Sequence, residues 1–153
     1  MGQIEDRLKT MGLTLPDAPA PAANYVPFLR VGDMLYVSGQ ISAGPDGPMT
    51  GICGGPGDVA LGVDAARACA LSLLAQVRAA CDGDLERLVR VVKLTGFVAS
   101  APGFTDQPKV VNGASDLMVE VLGDAGRHTR SAVGVSALPL GVRVEIEGIF
   151  QIA

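Results

Sequence analysis

Arg130-Ser131-Ala132-Val133-Gly134-Val135-Ser136-Ala137-Leu138-Pro139-Leu140-Gly141-Val142-Arg143-Val144-Glu145-Ile146-Glu147 is the stretch on which the reading of this chain turns. Apolar residues recur at every second position on both sides of Leu138-Pro139-Leu140-Gly141, which predicts two strands joined as a hairpin at that turn. Alternate side chains of a strand share a face. Val142, Val144 and Ile146 therefore point one way, and Arg143, Glu145 and Glu147 the other. The first strand divides likewise, Val133 and Val135 on one side and Arg130, Ala132, Gly134 and Ser136 on the other. With both valine faces taken as core, Arg130 and the glutamates line a polar floor beside residues too small to fill it.

The chain has 153 residues, enough for one domain with a proper core. Residues 1–24 read as an N-terminal prefix, a short helix through Ile4, Leu8 and Met11 followed by a stiff Pro/Ala linker, and residues 25–153 as the domain itself. Twelve Lys and Arg against sixteen Asp and Glu give a net charge of -4, and the aromatic residues are two Tyr and four Phe. Nucleic-acid binding thus lacks both a basic footprint and stacking platforms. Cys53, Cys69 and Cys81 form no Cys-x-x-Cys pair and suit reduced thiols. The charged start, with no apolar leader and no apolar run of membrane-spanning length, predicts a cytoplasmic protein with no membrane contact.

Strands are predicted over residues 25–30 and 34–41 around Val31-Gly32-Asp33, and a loop over the Gly-rich segment 44–57. Asp58 or Asp64 caps a helix running to about Cys81. Residues 89–99 read as a strand buried on both faces, and 106–122 as a second helix closed by Gly123. The order of elements, strand pair, helix, strand, helix, strand pair, is that of an α+β fold with two helices on one face of a mixed sheet.

Several segments together resemble the Rid family, also called the YjgF family, of enamine/imine deaminases. They are Asn24-Tyr25-Val26, Leu35-Tyr36-Val37-Ser38-Gly39-Gln40, the helix near 66–79, Val91 to Val98, Asn112, and the Arg130 stretch through Glu147. The N-terminal prefix and the longer loop at 44–57 are similar to a divergent RidA-like branch, also labelled endoribonuclease L-PSP. The resemblance implies a chorismate-mutase-like fold assembled as a homotrimer, with sites in the clefts between subunits and no cofactor or metal.

In such an enzyme a 2-imino or 2-enamino acid is hydrolysed to a 2-keto acid and ammonia. Arg130 matches the family's carboxylate-binding arginine, whose planar fork suits a carboxylate better than a lysine would. Glu145 matches the acid that orients water and moves the proton. Gly39 matches a backbone carbonyl holding substrate nitrogen or water, Tyr25 a cleft tyrosine, and Asn112 a nearby helix asparagine. Ala132 stands where the best-known deaminases carry cysteine, and Ser115 near where they often have tyrosine. Parity alone leaves Glu145 and Glu147 equivalent, and it leaves Arg143 free to be neutralised by either; the choice of Glu145 comes from the resemblance. His128, the single histidine, falls in a loop before the strand, and the family mechanism does not require it. Two rivals share the scaffold: a non-enzymatic protein that binds a small carboxylate, and an endoribonuclease, against which the acidic charge speaks.

Overall fold

A computed structural model describes residues 2–21 and 23–153. In chain order it comprises α1 (Gln3–Thr10), β1 (Phe28–Val31), β2 (Met34–Ile41), the short β3 (Ala43–Gly44) and β4 (Gly47–Pro48), α2 (Asp58–Ala80), β5 (Leu88–Ala99), α3 (Gln107–Leu122), β6 (Thr129–Val135) and β7 (Val144–Ile152). Five strands form one sheet in the order β1-β2-β7-β5-β6. Every neighbouring pair is antiparallel except β5 and β6, which run parallel. The α+β class and the mixed sheet are as the sequence implies, with α2 and α3 packed on one face. Among the described residues no helix is long and apolar enough to cross a membrane.

The last two strands depart from the predicted hairpin. Helix α3 carries the chain back over the sheet, so β6 enters parallel to β5 and takes the edge, as a βαβ crossover requires. The chain then turns through Pro139–Gly141, where Leu140 and Gly141 both have positive φ (58° and 69°), and β7 lands on the far side of β5. There β7 pairs with β2 and β5 together and buries Val144, Ile146, Phe150 and Ile152 almost completely. A hairpin with β6 would have satisfied only one of its edges.

This placement also reverses the predicted parity of β6. Arg130, Ala132 and Gly134 sit opposite Leu94, Gly96 and Val98, residues that face the helices, while Val133 is 44% exposed on the other side. Glu145 and Glu147 sit opposite Phe97 and Thr95, on the helix-free face. The polar floor uniting Arg130 with the glutamates is therefore not formed within one chain. Strand β5 differs too: Val89, Arg90 and Lys93 are exposed, so it is buried on one face only.

The first strand begins at Phe28 instead of residue 25. Helix α2 starts at Asp58, with Asp64 in its interior. The Asp58 carboxylate accepts from the backbone N–H groups of Gly54 and Gly55, both at 2.9 Å, which ties the Gly-rich loop to the helix start and holds its pKa below the usual range. Helix α1 joins the common core through Ile4 and Leu8, as Leu15 does beyond it. Arg7 of α1 donates to the carbonyl of Val121 at 3.0 Å, and Gln76 of α2 donates to that of Pro19 at 2.7 Å. The segment before residue 22 is thus laid along the domain.

Candidate functional site

Arg130 lies on the edge strand with its side chain turned toward α3. Its Nη1 donates to Asn112 Oδ1 at 2.7 Å and to Ser115 Oγ at 3.2 Å, and its Nη2 donates to the carbonyl of Pro108 at 3.3 Å. Asn112 and Ser115 are three residues apart and so present their oxygens from one face of the helix. All three acceptors are neutral. Among the described residues no Asp or Glu is ion-paired with Arg130, although four such pairs form elsewhere. The guanidinium is held in one orientation with its charge unanswered, which leaves it suited to an incoming anion. Ala132, two residues along the same face, packs against the core and presents no polar atom of its own side chain.

A second hydrogen-bonded group backs Ser115. Its Oγ is 2.9 Å from His128 Nε2, and His128 Nδ1 is 2.6 Å from the carbonyl of Gly126. Burial lowers the His128 pKa, the Gly126 bond raises it less, and the Arg130 charge lowers it further, for a net shift below the usual range. The histidine that sequence places in a loop therefore stands directly behind the residue that steadies Arg130.

On the other face, the Ser38-Gly39-Gln40 motif builds a recess. The β2–β7 register slips by one residue between Val37 and Gln40, a bulge in β2. Ser38 holds it by donating from Oγ to the carbonyl of Val26 at 2.7 Å, and Gln40 Nε2 donates to the carbonyl of Ser38 at 2.9 Å. Gly39 leaves room for the glutamate: a Cβ there would lie 2.7 Å from Glu145 Oε2 and would displace that carboxylate. Pro19, Tyr25, Gly39, Pro139, Leu140 and Glu145 line a recess of about 310 Å³. Glu147 shares the face but opens into a neighbouring groove of about 420 Å³ beside Lys93 and Thr95, with Tyr25 bordering both.

Burial, and secondarily the Glu147 charge, raise the Glu145 pKa. Arg143 does not offset this. Its guanidinium donates to the carbonyls of Thr50 (3.1 Å) and Ile52 (3.2 Å) and pairs with Asp58 at 3.9 Å, so neither glutamate neutralises it. A carboxyl with a raised folded pKa contributes stability that is fully present below its unfolded pKa and is lost as pH rises through the folded value. Glu145→Gln, a mimic of the protonated form, is expected to melt higher than the parent at pH 7, by at most about 2 °C given the group's partial exposure. The two curves are expected to converge toward pH 4. Melting temperatures across that range check it; a variant that melts lower at pH 7 contradicts it.

The predicted site residues thus fall into two groups. Arg130, Asn112 and Ala132 gather on the helix side of the sheet edge, and Tyr25, Gly39 and Glu145 around the recess on the opposite face. Ser115 and His128 were legible only as neighbours of better signals, because they meet after α3 has folded back. Among the described residues no three His, Cys, Asp or Glu side chains gather as metal ligands.

Comparison with known proteins adds to this geometry. The family described as Endoribonuclease L-PSP matches residues 15–152. The chain is 48% identical over 153 residues to Protein TCP17 of Trypanosoma cruzi, covering 99% of this chain and 95% of that one. It is 30% identical over 140 residues to the 2-iminobutanoate/2-iminopropanoate deaminase of Dermatophagoides farinae, covering 92% and 94%. Its fold superposes with a TM-score of 0.89, at 50% identity and over 98% and 92% of the two chains, on the crystal structure of Atu1372, a protein of unknown function from Agrobacterium tumefaciens.

Proposed function

Since this chain belongs to the endoribonuclease L-PSP family, also called Rid or YjgF, we propose that it hydrolyses small 2-imino or 2-enamino acids to 2-keto acids and ammonia. The observation that carries this reading is the Arg130 guanidinium, fixed by three neutral oxygens and paired with no carboxylate among the described residues. It binds the substrate carboxylate in two charge-assisted hydrogen bonds.

Water then adds to the imine carbon. Glu145, whose pKa is raised by burial, in its acid form gives its proton to the imine nitrogen and takes one from the attacking water, and the carbinolamine collapses to the ketone with loss of ammonia. The Gly39 backbone and Tyr25 position nitrogen and water, and Asn112 keeps the arginine aligned.

This assignment requires two chains. Arg130 and Glu145 lie on opposite faces of one sheet, so the Arg130 of one copy works with the Glu145 recess of its neighbour, in a homotrimer with three such clefts. The helix-free face supports self-association: Leu29 is 58% exposed, Val31 59% and Tyr36 46%, an apolar surface of the kind that subunit contacts cover. The same separation of the two groups favours, as the second reading, a protein that only binds a carboxylate metabolite through Arg130. In either case the free, buried cysteines suit a reducing, cytoplasmic setting.

The test generates 2-iminobutanoate in situ with an amino-acid oxidase and follows keto-acid formation. Added protein is expected to accelerate release at least about 100-fold, the low end of what acid–base help supplies. No acceleration, together with measurable binding of 2-oxobutanoate, replaces the deaminase with the binder.

A further inference from the structure

We infer that Ser115 and His128 form a relay that positions Arg130 for its ligand, an inference that rests on the carboxylate-binding reading of Arg130. Hydrogen-bond direction along this chain is fixed from one end. The Gly126 carbonyl can only accept, so the His128 Nδ1, 2.6 Å away, carries the proton. In the neutral ring Nε2 is then an acceptor, and the Ser115 hydroxyl, 2.9 Å from it, must spend its one hydrogen there. That turns the Ser115 lone pairs toward Arg130 Nη1 at 3.2 Å. A backbone carbonyl near the end of α3 thus sets the orientation of a guanidinium on β6 through two side chains, neither of which touches the ligand.

The relay complements Asn112. Asn112 and Ser115 both hold Nη1, from successive turns of α3, while Nη2 is held by the Pro108 carbonyl. With both ends of the fork tied, binding a carboxylate costs little further ordering of the side chain, which is where preorganisation raises affinity. Ser115 and His128 are positioning residues.

Protonation interrupts the relay. An imidazolium donates from both nitrogens, so Nε2 can no longer take the Ser115 proton, and it sets a second positive charge beside Arg130. The charged groups around the ring are Arg130 and Arg127 from its own strand and approach and Asp116 of α3, with Arg90 of β5 donating to the carbonyl of Arg127 at 3.0 Å. Because burial lowers the ring's pKa, the relay is interrupted at a more acidic pH than a free imidazole would set, and ligand binding weakens on that acidic side.

Titration calorimetry with 2-oxobutanoate on the full chain tests this. Ser115→Ala and His128→Gln are each expected to raise Kd about tenfold, the effect of losing one hydrogen bond to a charged group, with melting temperatures near the parent's. Ser115→Thr, which keeps the hydroxyl, is expected within about twofold of the parent. In turnover the loss appears in KM with kcat nearly unchanged. The acid weakening of binding predicted for the parent is expected to disappear in His128→Gln. Parent-like Kd values in Ser115→Ala and His128→Gln, while Arg130→Ala fails to bind, overturn the relay and leave the Arg130 reading standing. Equal binding by the parent and Arg130→Ala, or none by the parent, overturns both. Should Ser115→Ala fail to fold, His128→Gln alone decides between these outcomes.

Discussion

Arg130→Ala is expected to lower kcat/KM for 2-iminobutanoate, and affinity for 2-oxobutanoate, by about 100- to 1000-fold. Two hydrogen bonds from a cation to a carboxylate contribute together about 3 to 4 kcal/mol, and 1.4 kcal/mol is a factor of about ten. Nothing nearby can replace the charge: Arg143 is committed to the 50–53 loop and Asp58, and Lys93 lies on the opposite face. The fold is expected to survive. Arg130 is half-buried on an edge strand, and two of the acceptors it leaves behind belong to the exposed Asn112 and the half-buried Ser115. Arg130→Lys is a sharper version, since it keeps the charge and loses the fork. Steady-state kinetics and circular dichroism on the same preparations give the answer. A folded Arg130→Ala protein with parental kcat/KM removes the arginine from the mechanism.

Gly113→Ala is expected to destabilise the fold by about 3 kcal/mol, at the upper end of overpacking costs. An added Cβ would lie 2.2 Å from the carbonyl oxygen of Val63, a backbone atom of α2 that cannot rotate away. Alanine is the better helix former, worth up to about 1 kcal/mol over glycine. That gain is too small to offset pushing two helices apart along a seam where Gly62 also meets Val110. In a domain of this size the net loss lowers the melting temperature by roughly 6 to 12 °C. The same exchange at Gly57, whose Cβ would meet nothing within 4 Å, is the control. If both variants melt alike, the close crossing does not limit stability.

The two long helices were readable because their apolar spacing is strong and glycine closes the second one. Asp58 as helix start was harder to choose over Asp64, since its carboxylate serves the preceding glycine loop, a contact that leaves no periodic trace. The hairpin reading of the last strands failed for a different reason. Alternation gives the two faces of a strand but not its neighbours, and β6 was committed to β5 by the α3 crossover, an element outside the stretch that suggested the hairpin. The parity of β6 failed with it: Val133 points away from the helices, and the small residues Ala132 and Gly134 let α3 and its surroundings approach. For the site, the shared face of Glu145 and Glu147 was legible, whereas their separate recesses depend on the bulge at Ser38 and Gly39.

The place of β7 in the sheet bears on how the chain reaches its native state. It follows every other strand in chain order, yet it occupies the centre, between β2 and β5. The hairpin of β1 with β2 and the crossover unit of β5, α3 and β6 are each assembled from nearby residues. Until β7 docks, each of these halves presents an unpaired inner edge, a template for strands of other molecules. Docking joins the most distant parts of the chain, as the hydrogen bond from Gln151 to Asp33, 118 residues apart, illustrates. Closing so long a loop is entropically costly before its contacts form and is slow in proportion. Completion of the sheet is therefore the step at which folding competes most directly with aggregation, and a change that weakens β7 acts on yield before it acts on activity.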